Sequence, residues 1–164
     1  MLFKQRVDDV LSSLRQPSLR ELHEALDAIG ATAELIAPYV TEPDRLPYGR
    51  NVLFRSDHVE AIVVHIPPGS ETFVHDHGRS VGCALLLEGA MLNATYRTGG
   101  GGEAFLVAQC RVPEGRRIEA PAKQIHRMSN PGVRRAVSLH LYAPPLAETN
   151  TYKPVEEYVL DYVI

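Results

Sequence analysis

From residue 48 onward the chain breaks into short β-branched or alternating runs, each followed by a turn signal, and this spacing limits what it can fold into. The runs fall at 51–56, 60–66, 72–77, 81–87, 91–97, 105–112, 125–128 and 135–142. Between them stand Pro67-Pro68-Gly69, Glu88-Gly89, Gly99 to Gly102, Pro113-Glu114-Gly115 and Asn130-Pro131-Gly132. Strands at such intervals predict an all-β sandwich or barrel. The four-glycine run reads as a hairpin tip. It lacks the lysine and the strand-to-helix setting of a phosphate loop.

Before residue 48 the apolar residues recur at helical spacing. Val7, Val10, Leu11 and Leu14 form one such face. Ser18 and Glu21 stand three apart, as in a capping box, ahead of Leu19, Leu22, Leu26 and Ile29. Gly30 then stops the helix. A third short helix is expected over 32–38, and 41–47 reads as a loop. The chain therefore divides into a helical segment (1–47), a β core (48–145) and a C-terminal strap (146–164). All three belong to a single domain over 1–164, a length that suits one domain. In the strap Tyr152, Tyr158 and Tyr162 alternate with Val155, Val159 and Val163.

Charge narrows the partners. Seventeen basic and 20 acidic residues give a formal charge of −3, without the basic excess of a nucleic-acid binder. No apolar run approaches the ~20 residues that span a bilayer, so no membrane partner is expected. The start, MLFKQRVDDVL, carries charges within its apolar stretch, unlike a signal peptide. Two cysteines, Cys83 and Cys110, make no disulfide framework and suggest a reducing cytoplasm. Cys110 reads as a core residue.

Seven histidines are the chemical signal. His75 and His77 form His-x-His, and residues i and i+2 of a strand share a face, where two imidazoles can hold one metal ion. Two hydrogen-bonded histidines on a solvated strand would look the same. A third histidine from a distant strand would complete a site suited to Fe, Zn, Cu or Ni with positions left open. His23, His58 and His65 lack such company and read as structural.

The setting of these histidines resembles a known superfamily. Gly69-x5-His75-x-His77 with Gly89 resembles the first cupin motif, and Gly115-x5-Pro121-x4-His126-x3-Asn130 the second. A cupin usually carries a glutamate ligand four or five residues after the second histidine; here Val81 and Gly82 stand there. A three-histidine cupin resembles the thiol dioxygenases, with cysteine dioxygenase as the best-known type. Tyr48-Gly49-Arg50-Asn51 is similar to that family's carboxylate-binding segment. His126-Arg127-Met128-x-Asn130 is similar to its third-ligand segment, and Ser138-Leu139-His140-Leu141-Tyr142-Ala143-Pro144-Pro145 to its Ser-His-Tyr segment.

The resemblance implies a mainly β cupin barrel, a double-stranded jelly roll with N-terminal α-helices. It implies Fe(II) held by His75, His77 and His126, a monomer, and a small thiol and O2 as partners. Arg50 would clamp the substrate carboxylate with two parallel hydrogen bonds, helped by Tyr48. As a bare arginine on a strand, Arg50 could equally pair with a surface acid. Tyr142 would direct its hydroxyl at the iron-bound oxygen or at the substrate carboxylate, with Ser138 orienting His140 and His140 orienting Tyr142 along one strand face. A core strand with three satisfied polar groups is the alternative.

The reaction implied is L-cysteine to cysteine sulfinate. Relatives specialised for 3-mercaptopropionate tend to have glutamine where Arg50 stands. The main rival reading is the same chemistry on 3-mercaptopropionate or another small thiol acid, against which Arg50 argues; a cupin that only binds metal or ligand, and a zinc isomerase or hydrolase, are the others. Animal cysteine dioxygenases cross-link a cysteine to the tyrosine that Tyr142 matches. That position here is Gly82, and Cys83 should face away, so no cross-link is expected. Free histidine titrates near pH ~6.5, so metal affinity is expected to weaken below about pH 6.

Overall fold

The computed structural model describes residues 2–155. The helical segment forms as its local signals dictate. Helix α1 spans Phe3–Ser12 and α2 spans Leu19–Ile29. The Ser18 hydroxyl accepts from the Glu21 amide while the Glu21 carboxylate accepts from the Ser18 amide, a reciprocal capping box. Gly30 ends α2 in the left-handed conformation (φ 57°), which costs glycine little. The third helix, α3, covers only Ala33–Ile36, and a 3-10 turn, Ala37–Tyr39, follows. None of the described helices is long and apolar enough to cross a membrane.

Ten strands follow among the described residues: β1 Gly49–Arg55, β2 Glu60–Ile66, β3 Val74–His75, β4 Val81–Glu88, β5 Ala90–Gly100, β6 Glu103–Pro113, β7 Arg117–Ala120, β8 Ile125–Ser129, β9 Ala136–Ala143 and β10 Thr151–Pro154. One sheet orders them β1-β2-β9-β4-β7; the others close a barrel in the order β10-β3-β8-β5-β6. Strands β5 and β6 form the hairpin whose tip is the glycine run, as expected. Two strands, β7 and β10, have no counterpart among the runs read from the sequence. The expected strand over 72–77 shrinks to two residues, Val74–His75.

The first sheet is covered on both faces, so β2 and β9 are buried at every position. This explains their near-continuous apolar sequence. Ala61, Val63, Cys83, Val137, Leu139 and Leu141 pack outward against Val7, Leu11, Leu22, Leu26 and Ile29 of the helices. Ile62, Val64, Ala84, Leu86, Ile118 and Tyr142 of this sheet pack inward with Met91 and Met128 of the opposing layer. The helices thus shield the outer face, and the polar residues of β9 are left on the inner one.

Cys110 departs from expectation: it is exposed. Residues 106–111 of β6 are exposed throughout. They pair with β5 alone, and no described layer covers them. The alternation expected of the strap at Tyr158, Val159, Tyr162 and Val163 lies outside the described residues.

Candidate metal centre and substrate cleft

The three expected histidines meet. One ring nitrogen from each of His75, His77 and His126 lies within 4.8 Å of the others. His126 Nε2 is 3.2 Å from His77 Nε2. His75 and His126 face each other as a strand pair, β3 against β8. His77 lies beyond the end of β3 and turns its ring to the same point.

The outer nitrogens explain why the inner ones converge. His75 Nδ1 is 2.7 Å from the Phe73 carbonyl, and His126 Nδ1 is 2.8 Å from Asn93 Oδ1. Each ring therefore donates outward from Nδ1 and presents the lone pair of Nε2 inward, the form a metal ligand needs. Nδ1 of His77 is buried without a hydrogen-bond partner among the described residues. Asn93 on β5 escapes a sequence reading, because one asparagine within an alternating strand looks like any solvent-facing position.

Burial keeps all three rings neutral near pH 7. Desolvation lowers the His75 pKa, and with the nearby His75 charge it takes His77 down to about 4. His126 falls well below the usual range, chiefly by burial and then through His75, His77 and His140. Neutral nitrogen donors aimed at one point, with the outer sides of His75 and His126 fixed, fit a divalent transition metal. Among the described residues no carboxylate joins the set.

Asp76, between two of these histidines, carries no sequence signal of its role. Its carboxylate accepts from the Gly78 and Asn150 amides, the Asn150 side chain and, at 2.6 Å, the Tyr152 hydroxyl. Burial works against the charge, but these hydrogen bonds prevail and hold its pKa at about 2. The contacts tie β10 to the histidine strand. Tyr152 is thus anchored.

Ser138, His140 and Tyr142 form the expected chain. Ser138 Oγ is 2.7 Å from His140 Nε2, and His140 Nδ1 is 3.1 Å from the Tyr142 hydroxyl. That hydroxyl lies 3.5 Å from His77 Nε2. Burial lowers the His140 pKa to about 3 and raises that of Tyr142 above the usual phenol range. A neutral His140 carries one ring proton, so it donates to one neighbour and accepts from the other.

A cleft of about 460 Å³ opens on the histidines, lined by Tyr48, Arg50, His75, His77, Tyr142 and Leu146 among others. Arg50 and Tyr48 therefore share a cavity with His75 and His77. Burial raises the Tyr48 pKa against the opposing influence of Arg50. The remaining histidines lie elsewhere: His23 is 2.9 Å from Glu119, and His65 Nδ1 is 2.9 Å from the Thr41 carbonyl.

Gly82 sits opposite Tyr142 across β4 and β9, and Cys83 opposite Leu141. A Cβ added at Gly82 would stand 2.4 Å from the Tyr142 ring, so the ring occupies the space a side chain would need. The Cys83 thiol lies on the helix side of the sheet, and burial pushes its pKa up to about 12. Peptide mapping is expected to show Cys83 and Tyr142 unlinked; a thioether between them would require the β4 register to be different.

The architecture is that of the double-stranded β-helix, or cupin. A protein with a double-stranded β-helix domain from Klebsiella pneumoniae subsp. pneumoniae superposes with a TM-score of 0.57 at 22% identity, covering 72% of this chain and 94% of its own. The TT1209 protein from Thermus thermophilus gives 0.55 at 20% identity, over 66% and 93% of the two chains. The cupin domain of Schizosaccharomyces pombe Cnp3 gives 0.55 at 16% identity, over 66% and 71%. Within that fold the match becomes specific: residues 38–154 fit the family described as cysteine dioxygenase type I. The chain belongs to that family, and its three-histidine cluster is a possible metal site.

Proposed function

We propose that this protein is an iron-dependent dioxygenase that converts L-cysteine to cysteine sulfinate. The observation that carries this reading is the convergence of His75, His77 and His126 beside a cleft that also holds Arg50. The three imidazoles would hold Fe(II). Bound there, the ion supplies open positions for a thiolate and O2 and relieves the spin mismatch between them. The balance is simple: the thiol and one O2 give a sulfinic acid, both oxygen atoms end on sulfur, and no other reductant is needed.

The protein's own groups do the rest. Arg50 takes the substrate carboxylate, with Tyr48 beside it. Tyr142, kept as a phenol by burial, serves as a proton donor inside the cleft. With Ser138 donating to His140 Nε2, His140 Nδ1–H donates to the Tyr142 oxygen and leaves the phenol proton free for substrate. The buried relay thus fixes where that proton points.

Mass spectrometry of products tests the reading. Iron-loaded protein given L-cysteine and O2 is expected to form cysteine sulfinate, and faster than it forms the sulfinate of 3-mercaptopropionate. No O2 uptake with iron bound and thiol present would leave a binding module; uptake without sulfinate would mean an oxidation other than the one proposed. Arg50→Gln is expected to lower kcat/KM for cysteine at least about tenfold, since a charge-assisted carboxylate contact is lost. Unchanged kcat/KM in that variant would remove Arg50 from the site.

A further inference from the structure

The carboxylate of Glu60 is fully buried at the start of β2. An isolated buried carboxylate is costly, so its partners indicate what it is for. Glu60 Oε1 lies 2.9 Å from Arg55 Nη1 and 3.5 Å from Arg50 Nη2. Its other oxygen accepts from the Leu146 amide at 3.0 Å. Across the sheet, Glu60 pairs with Arg55 on one side and with Tyr142 on the other. A register shift between Val52 and Phe54 sets Arg55 opposite Glu60. Without that bulge Phe54 would stand there, and the second guanidinium would be turned away.

We infer that Glu60 is the residue that positions Arg50 for an α-carboxylate, a proposal that rests on the dioxygenase reading above. Arg50 Nη2 stands at ion-pair distance, 3.5 Å, from Glu60, while Arg55 makes the hydrogen bond to the same oxygen, so the N–H groups of Arg50 are available to an acid group. The charges support this. Two guanidiniums around one carboxylate leave one positive charge, which suits a single substrate carboxylate. Arg55, half exposed at the outer side, offsets Glu60, so that Glu60 holds Arg50 without cancelling it. The bond to the Leu146 amide also fixes the wall of the cleft that follows Tyr142. Small thiols that carry a carboxylate are thereby favoured over those that lack one.

The test is a double-mutant cycle on iron-loaded protein. It is read by anaerobic titration with L-cysteine and by separate KM and kcat values. Glu60→Gln, which keeps an oxygen for the Leu146 amide, is expected to raise Kd and KM for L-cysteine about tenfold with little change in kcat. The same substitution in an Arg50→Gln background is expected to change Kd by less than about twofold, because the group it positions is gone. Arg55→Lys, which keeps a positive charge beside the buried Glu60 but loses the planar fork, is expected to weaken cysteine binding in the same direction, with a thermal melt checking that the variant is folded.

A merely structural Glu60 predicts otherwise: equal losses in both backgrounds, or a fall in kcat at constant KM. Either result, or wild-type affinity in both single variants, overturns the inference. If the unmutated protein neither binds cysteine nor forms sulfinate, the dioxygenase reading fails first and takes this proposal with it.

Discussion

Replacing His126 by alanine is expected to remove metal and turnover together. His126 is buried and supplies one of three inward nitrogens, and among the described residues no carboxylate stands by to replace it. Metal analysis after gel filtration should find the variant essentially empty. Sulfinate formation should fall more than about a hundredfold, beyond what the loss of an outer hydrogen bond costs. Asn93→Ala provides the graded comparison. It keeps all three nitrogens but frees the His126 ring, which Asn93 holds from 2.8 Å. Its metal affinity should drop about 10- to 100-fold, and excess metal should restore turnover. His126→Ala should not recover at any metal concentration. Stoichiometric metal in a folded, active His126→Ala protein would mean that the cluster is not the metal centre.

The contrast between those two residues shows what is legible in the sequence. His126 can be found because it sits in a spaced pattern with Gly115, Pro121 and Asn130. Asn93 cannot, because its partner is 33 residues away and nothing local marks the contact. Glu60 and Asp76 share that fate. Each is an acid whose meaning depends on chain that returns much later, at Leu146 and at Asn150. Helix ends are readable for the opposite reason: a capping box is complete within four residues.

The His-x-His pair does share a face, but not because of a long strand. Strand β3 stops at His75, and His77 reaches the same point from the turn that follows. Strand periodicity thus anticipates a convergence that the fold achieves partly by other means. Cys110 illustrates the converse error. A small apolar residue in a strand reads as core, but that stretch of β6 has a neighbour on one side only, and burial depends on that neighbour.

Metal-free protein is expected to lose much of its stability between pH 7.5 and pH 5. The cause is a set of histidines that the fold keeps neutral. His140 is held at about 3 and His77 at about 4, and His126 is far below its ordinary value, with burial the main cause in each. In the unfolded chain these rings titrate near ~6.5. Below that pH the unfolded state binds more protons than the native state, so acid favours unfolding. The stability present above about pH 6.5 is lost progressively as pH falls toward the folded values.

At pH 5 His77 and His140 cost about 2 kcal/mol each, about 4 together, and His126 acts in the same direction, against a typical total of about 5–15. Thermal melts followed by circular dichroism should therefore show Tm falling by on the order of 10–20 °C between those pH values. Asp76 does not confuse the measurement: held at about 2, it loses its contribution only below the ordinary carboxylate range. The same shifts revise the expected acid limit of metal binding. Rings that stay neutral in the folded protein remain competent ligands under mild acid, so the fall in affinity begins at a lower pH than the value of about 6 expected from free histidine. A Tm that is flat from pH 7.5 to 5 in stripped protein would show that these histidines are as easily protonated in the native fold as in water.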